Sequence, residues 1–182
     1  MAKRFPALEP QHQDFIAAQK VFFVATAPLP EGRVNLSPKG MDSLRVLGPN
    51  RILWLNLTGS GNETATHLAR DPRMTLMWMS FDTRPLILRA YGTARAIHHS
   101  DPDWPVLSAL LPDEPGARQL IEMQVDLVQT SCGYAVPYAE ARERPTLRKW
   151  AEDKGEDGLH AYWREKNAEN IDGADTGIGA NL

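Results

Sequence analysis

The sequence predicts a mainly β protein with flanking helices (α+β), its strands closing into a barrel or a sandwich. Three observations carry that prediction. Five or six runs rich in β-branched and aromatic residues follow one another at short spacing, few helix-length segments separate them, and one strand, glycine turn and helix unit sits near the middle. At 182 residues, 42% hydrophobic and 24% charged, the composition is that of one soluble globular domain. A chain of this size buries about 70% of its unfolded surface, so a sizeable core forms without staples.

Taken in order, residues 1 to 20 place Leu8, Phe15, Ile16 and Ala17 among polar neighbours and read as one short amphipathic helix. Lys20–Ala27 is a strand, closed by the turn residues of Pro28–Gly32 and paired as a hairpin with Arg33–Ser37. In this second strand Val34 and Leu36 alternate with Asn35, Ser37 and Lys39, giving one apolar face and one face of donors. Ser43–Leu47, the Gly48-Pro49-Asn50 turn and Arg51–Leu57 make the next hairpin. A helix over Glu63–Arg70 crosses to Arg73–Phe81, apolar on both faces and so interior. Leu86–Ile97 is a long strand in which Gly92 permits the bend of a barrel wall. Helical patterns return over Asp101–Leu111 and Pro115–Ile121, and Glu122–Ser131 alternates as a half-buried last strand. Glu140–Lys166 is charged and helical, with Leu147, Trp150, Leu159, Tyr162 and Trp163 as its apolar stripe.

These elements divide the chain into a barrel domain with its N-terminal helix (1–140), a helical cover (141–166) and a flexible tail (167–182) of Asp, Gly, Ala and Asn. No internal repeat or linker splits it further.

The stretch Asn56-Leu-Thr-Gly-Ser-Gly-Asn-Glu-Thr64 carries the clearest chemistry. A strand, a glycine-bearing turn and a helix start point free N–H groups at one place, an anion-binding corner. The same residues also make a capping box, Ser60 as N-cap with Glu63 reaching back to the Ser60 N–H, which needs no ligand.

Several classes are excluded or disfavoured. A net charge of −3 gives no basic field for a phosphate backbone, so nucleic acid is not an expected partner. One cysteine, Cys132, excludes an internal disulfide and fits a cytoplasmic location. No apolar run approaches the ~18 residues of a membrane span. His98-His99 with Asp101 and Asp103 lacks metal-ligand spacing, and no metal is expected. Arg89 and Tyr91 share a strand face and fit either a ligand cleft or an interface ion pair. No acid–base pair stands at a telling spacing, and catalytic residues stay unassigned.

With the elements in place, the chain resembles the pyridoxamine 5′-phosphate oxidase-like family of FMN-binding split β-barrels. The resemblance rests on Phe22–Ala27, Arg33-Val-Asn-Leu-Ser-Pro-Lys-Gly40, Leu55–Thr64, Asp71-Pro-Arg-Met-Thr-Leu76 and Leu88-Arg-Ala-Tyr-Gly-Thr-Ala94, with Val128–Pro137 marking an uncharacterised branch. It implies a homodimer with two FMN sites at the interface, acting as a flavin-dependent oxidoreductase on a small-molecule substrate with a donor such as NAD(P)H. A non-catalytic dimer holding flavin or haem in the same cleft is the alternative. Matched onto this chain, the cofactor-binding positions are Asn35, Ser37, Lys39 and Gly40 on one side and Leu55, Asn56, Leu57, Thr58, Asn62, Glu63 and Thr64 on the other. Backbone groups near Leu55 to Leu57 would meet the ring, and Trp150 or Trp163 would come from the partner chain. Two departures stand out. Asn62, Glu63 and Thr64 replace the serine and basic residues of strong FMN binders, and Trp163-Arg-Glu-Lys-Asn-Ala replaces the Trp-basic-Ile-x-Arg-Leu end of the true oxidase.

Overall fold

Side chains of an extended segment alternate between two faces, and a strand paired on both edges buries both of them. Ala117–Cys132 behaves this way: in the computed structural model, which describes residues 2–28 and 30–182, it is one sixteen-residue strand, β8. Before it come β1 (Lys3–Phe5), α1 (Pro10–Ala17), β2 (Phe22–Thr26), β3 (Asn35–Lys39), β4 (Leu44–Gly48), β5 (Arg51–Leu57), α2 (Glu63–Leu68), β6 (Arg73–Met79), β7 (Leu86–Ile97) and α3 (Trp104–Ser108). After it comes α4 (Thr146–Lys166), broken at Gly155, where φ is +63° and ψ 175°.

All eight strands form one antiparallel sheet in the order β3-β2-β6-β7-β8-β5-β4, with β1 added on β8. One edge of β8 pairs with β7 from Leu120 to Cys132. Its other edge takes β5 over Ala117 to Gln124 and β1 over Val128 to Thr130. The sheet curls on itself. Phe22 on β2 and Trp54 on β5 are separated by three strands in the sheet, yet their rings meet edge to face with centroids 6.0 Å apart, and Phe22 also lies 6.2 Å from Trp78 on β6. Val24, Trp54, Leu76, Leu88, Ile121 and Met123 fill the same interior with almost no exposure.

Gly92 stands where β7 and β8 shift register, Tyr91 facing Leu127 and Gly92 facing Val125, so Asp126 is the extra residue of a bulge. A Cβ on Gly92 would lie 2.0 Å from the Gln124 carbonyl oxygen, so only glycine lets the strands come this close. Gly92, expected to permit a bend, serves here for the close approach of two strands beside a bulge.

Several expectations change. Residues 1–20 are a strand and a helix, because Lys3–Phe5 finds a partner 125 residues away on β8 that local pattern does not show. Residues 115–121 are not helical: Ala117 onward is β8, held by ladders on both edges that override local helix signals. The helix over 101–111 shrinks to α3. The apolar face of β3 points outward, with Val34 73% and Leu36 66% exposed. Of the Pro28–Gly32 turn, Leu29 lies outside the described residues, as does Met1. The 167–182 segment, given no apolar stripe by its composition, packs on the body: Asn167, Thr176 and Ile178 are buried and residues 178–181 make a short 3-10 turn. Among the described residues no helix is long and apolar enough to cross a membrane.

Candidate functional site

Alternation along β3 sends Asn35, Ser37 and Lys39 to the side opposite Val34 and Leu36, toward the corner where β5 turns into α2. There they meet Asn56, Gly59–Thr64 and Arg118 around a polar cavity of about 320 Å³. Seven of the expected positions are thus brought together: Asn35, Ser37, Lys39, Asn56, Asn62, Glu63 and Thr64. Gly40 lies just outside, in an adjoining cavity of about 760 Å³ that Lys39 also lines, with Met41, Arg142 and Trp150.

Leu55, Leu57 and Thr58 are not in this cavity. The Leu55 N–H is bonded to the Ser43 carbonyl at 2.8 Å, and its side chain belongs to a second core cluster with Leu53, Ile97 and Leu120. Leu57 packs against that same cluster. Thr58 is buried, its N–H and hydroxyl both donating to the Gly116 carbonyl at 2.8 Å. Thr58 Oγ1 in turn accepts from the Trp163 indole at 2.9 Å. Trp163 is therefore locked within its own chain, whereas Trp150, packed edge to face on Tyr162 at 5.1 Å, lines the larger cavity.

The capping box does not form. Asn62 is the N-cap of α2 and makes no side-chain cap bond. Glu63 instead turns to the C-terminal segment, both carboxylate oxygens accepting from the Ile171 N–H at 3.3 Å. With six residues α2 is too short for its dipole to dominate, so the charge of the cavity is set by side chains.

Two of those side chains are cations, Arg118 buried and Lys39 half-buried. Arg118, on β8, is 2% exposed; it donates through Nη1 to Asn167 Oδ1 at 2.8 Å and through Nη2 to the Gly61 carbonyl at 2.7 Å. No carboxylate pairs with it among the described residues, and burial pulls it down to about 10, still charged at neutral pH. Half-buried Lys39 places Nζ 5.4 Å from the centre of the Trp54 ring, a cation–π contact. Burial first, and then the Arg118 charge, lower it to about 8. A buried charge without an opposite charge is costly, and here a second, half-buried cation shares the cavity.

The amides around them are also under-satisfied. Asn56 Nδ2 donates to Asn62 Oδ1 at 3.1 Å and to Gln119 Oε1 at 3.0 Å, which leaves Asn56 Oδ1, Asn62 Nδ2, Gln119 Nε2 and Arg118 Nε buried without partners. Native proteins seldom leave such groups unmatched. On the other wall Asn35 Nδ2 donates to Thr64 Oγ1 at 3.2 Å and Thr26 Oγ1 at 3.3 Å, and Thr26 bonds His67 Nδ1 at 3.0 Å. Burial holds the His67 imidazole below its ordinary value, so it is neutral at pH 7. Lys39, Arg118 and the spare amide donors suit an anion, and a phosphate monoester matches their charge and donor chemistry. Glu63 is the opposing group, its carboxylate directed toward Ile171.

Arg118, Gln119 and Asn167 were missed from sequence. Reading 115–121 as helix hid the first two, and the low-complexity look of the tail hid the third.

Comparison with known proteins agrees with this architecture. The chain matches the family model for pyridoxamine 5′-phosphate oxidase over residues 8–132. It is 33% identical to the pyridoxamine 5′-phosphate oxidase family protein ustO of Aspergillus flavus, covering 93% of this chain and 75% of that protein. Among solved structures, a candidate pyridoxamine 5′-phosphate oxidase from Lactobacillus delbrueckii superposes with TM-score 0.55 at 20% identity, over 68% of this chain and 94% of its own. Group A Streptococcus HupZ gives 0.53 at 16% identity, over 66% and 91%. At those identities the two structures speak for the fold alone. The antiparallel sheet, the family match that spans β2 to β8 and the curated relative together make this chain a member of the pyridoxamine 5′-phosphate oxidase family.

Proposed function

We propose that this protein is an FMN-dependent oxidoreductase that works as a homodimer on a small-molecule substrate, with a nicotinamide such as NAD(P)H as donor. The observation that carries the reading is the pair of cations, buried Arg118 and half-buried Lys39, facing one polar cavity with unpartnered amide groups beside them. Family membership supports a flavin as the ligand that completes them. Bound FMN would supply the hydride and electron chemistry.

The chain's own residues bind and orient. Lys39 and Arg118 neutralise the phosphate, and Ser37, Asn62 and Thr64 line the cavity as neutral polar groups. Lys39 also borders the larger cavity, so a ligand with an anionic end and a flat ring would span both, the ring near Trp150. Leu36, which alternates with the cavity-lining residues of β3, and Val34, just before that strand, are exposed, and Val34 borders a hollow with Ala25, Met74 and Tyr91. A second copy of the chain seated on that surface would bury them, beside the cofactor cavity.

The test is the visible absorption spectrum of the purified protein, before and after excess FMN and removal of the unbound fraction. A retained flavin spectrum, bleached by NAD(P)H, is the expected result. A Soret band would replace the flavin reading with a haem-binding one. A colourless protein that retains no FMN would sink it.

A further inference from the structure

The flavin reading gives the C-terminal segment no task, yet that segment bonds to both charged residues at opposite sides of the anion cavity, Arg118 and Glu63. Asn167, the residue that ends α4, is fully buried. Its Oδ1 accepts from Arg118 Nη1 at 2.8 Å while its Nδ2 donates to the Gly59 carbonyl at 3.0 Å, so one amide ties the guanidinium to the glycine turn. Arg118 closes the loop through its own bond to the Gly61 carbonyl at 2.7 Å. Asn181 donates to the Arg118 backbone carbonyl, fastening the same residue from the end of the chain. On the other wall the Ile171 N–H holds the Glu63 carboxylate, and Asp172 beside it pairs with Arg33 just before β3.

We propose that residues 167–182 brace the anion site from behind its lining, with Asn167 as a positioning residue that fixes Arg118 so its charge faces a phosphate monoester. Arg118 then supplies the charge that Glu63 and Thr64, at the start of α2, do not, and the Ile171 N–H draws the one opposing carboxylate toward the tail. This rests on the flavin reading and deepens it. The site is built from β3, the β5–α2 turn and β8, and the chain's own C-terminal segment holds two of its lining residues in place.

A merely structural Asn167 would cap α4 and affect stability only. Phosphate positioning makes a different demand: discrimination between FMN and riboflavin, which lacks the phosphate, must depend on residue 167. The experiment measures the affinities of both flavins for the full chain and for Asn167→Ala and Asn167→Asp, with melting curves to confirm folding. The unaltered protein should prefer FMN by about a hundredfold, as expected for two charge-assisted contacts. Asn167→Ala should cut that preference about tenfold with riboflavin affinity unchanged, and near-isosteric Asn167→Asp, which puts a carboxylate on Arg118, should cut it further. If both folded variants keep the FMN preference of the unaltered protein, the inference is overturned while the flavin reading stands. If the unaltered protein binds neither flavin, the flavin reading falls and takes this inference with it.

Discussion

Trp163 and Thr58 are 105 residues apart in sequence and joined by a 2.9 Å hydrogen bond from indole to hydroxyl, both side chains buried. Because Thr58 also donates to Gly116, this contact fastens α4 to the glycine turn and to the entry of β8. Trp163→Phe keeps most of the apolar contact but removes the donor and some volume. A loss of about 1–3 kcal/mol is expected in urea unfolding, with the slope unchanged.

On the proposed flavin site, Lys39 should make flavin affinity pH-dependent. Burial lowers it to about 8 from 10.5, so between those values the unfolded chain holds a proton that the empty folded chain lacks. The empty protein therefore gains stability as pH rises through that window. A bound phosphate favours the charged amine, so above about pH 8 binding takes up a proton, and FMN affinity falls by up to about tenfold per pH unit. Titrations from about pH 7 to pH 9.5 should show this slope, and Lys39→Met should flatten it while weakening binding.

Glu63 lines the cavity with a sign opposite to that of its cations. Glu63→Gln keeps an acceptor for the Ile171 N–H and removes the charge. FMN affinity should rise by about fivefold, corresponding to about 1 kcal/mol of relieved repulsion, and riboflavin affinity should not change. Equal gains for both flavins would place the carboxylate away from the phosphate.

Gly92→Ala tests the close approach of β7 to β8. With the new Cβ 2.0 Å from the Gln124 oxygen, β7 and β8 must separate, at an expected cost of more than about 3 kcal/mol or loss of soluble protein. An alanine variant of unaltered stability would mean that the bulge at Asp126 can shift register freely.

Leu36→Asp probes self-association. In an isolated chain an exposed position on an edge strand tolerates the change within about 0.5 kcal/mol. In the proposed dimer it buries a charge, so light scattering should report a monomer while the melting profile of the fold persists. A variant that remains dimeric would exclude this face as the contact.

Much of the fold was legible because its strands carry their own signal. Arg51–Leu57 and Leu86–Ile97 match the observed β5 and β7, since β-branched and aromatic residues bounded by turn residues specify them locally. Lys3–Phe5 and the start of β8 were not legible, because only pairing with remote segments makes them strands. Parity along β3 separated Asn35, Ser37 and Lys39 from Val34 and Leu36 correctly, but parity cannot say which face meets a core, and here the apolar one faces outward. At the site, the glycine turn and Lys39 could be read from short spacing, whereas Arg118 and Asn167 act through a 49-residue separation that no local pattern encodes. Composition also misjudged the tail. It counts apolar residues, and what fixes 167–182 is a set of amide and hydroxyl bonds from Asn167, Asn170 and Thr176 together with the single buried Ile178.

The central place of β8 has a consequence for synthesis. Three strands, β1, β5 and β7, find their partner in residues 117–132, so none of those ladders exists until that stretch has left the ribosome. More than half of the chain, including the apolar β5, waits in an unclosed state with strand edges open. Closure of the sheet waits for β8, and the nascent chain is at its most vulnerable to holdase capture or aggregation just before that strand arrives.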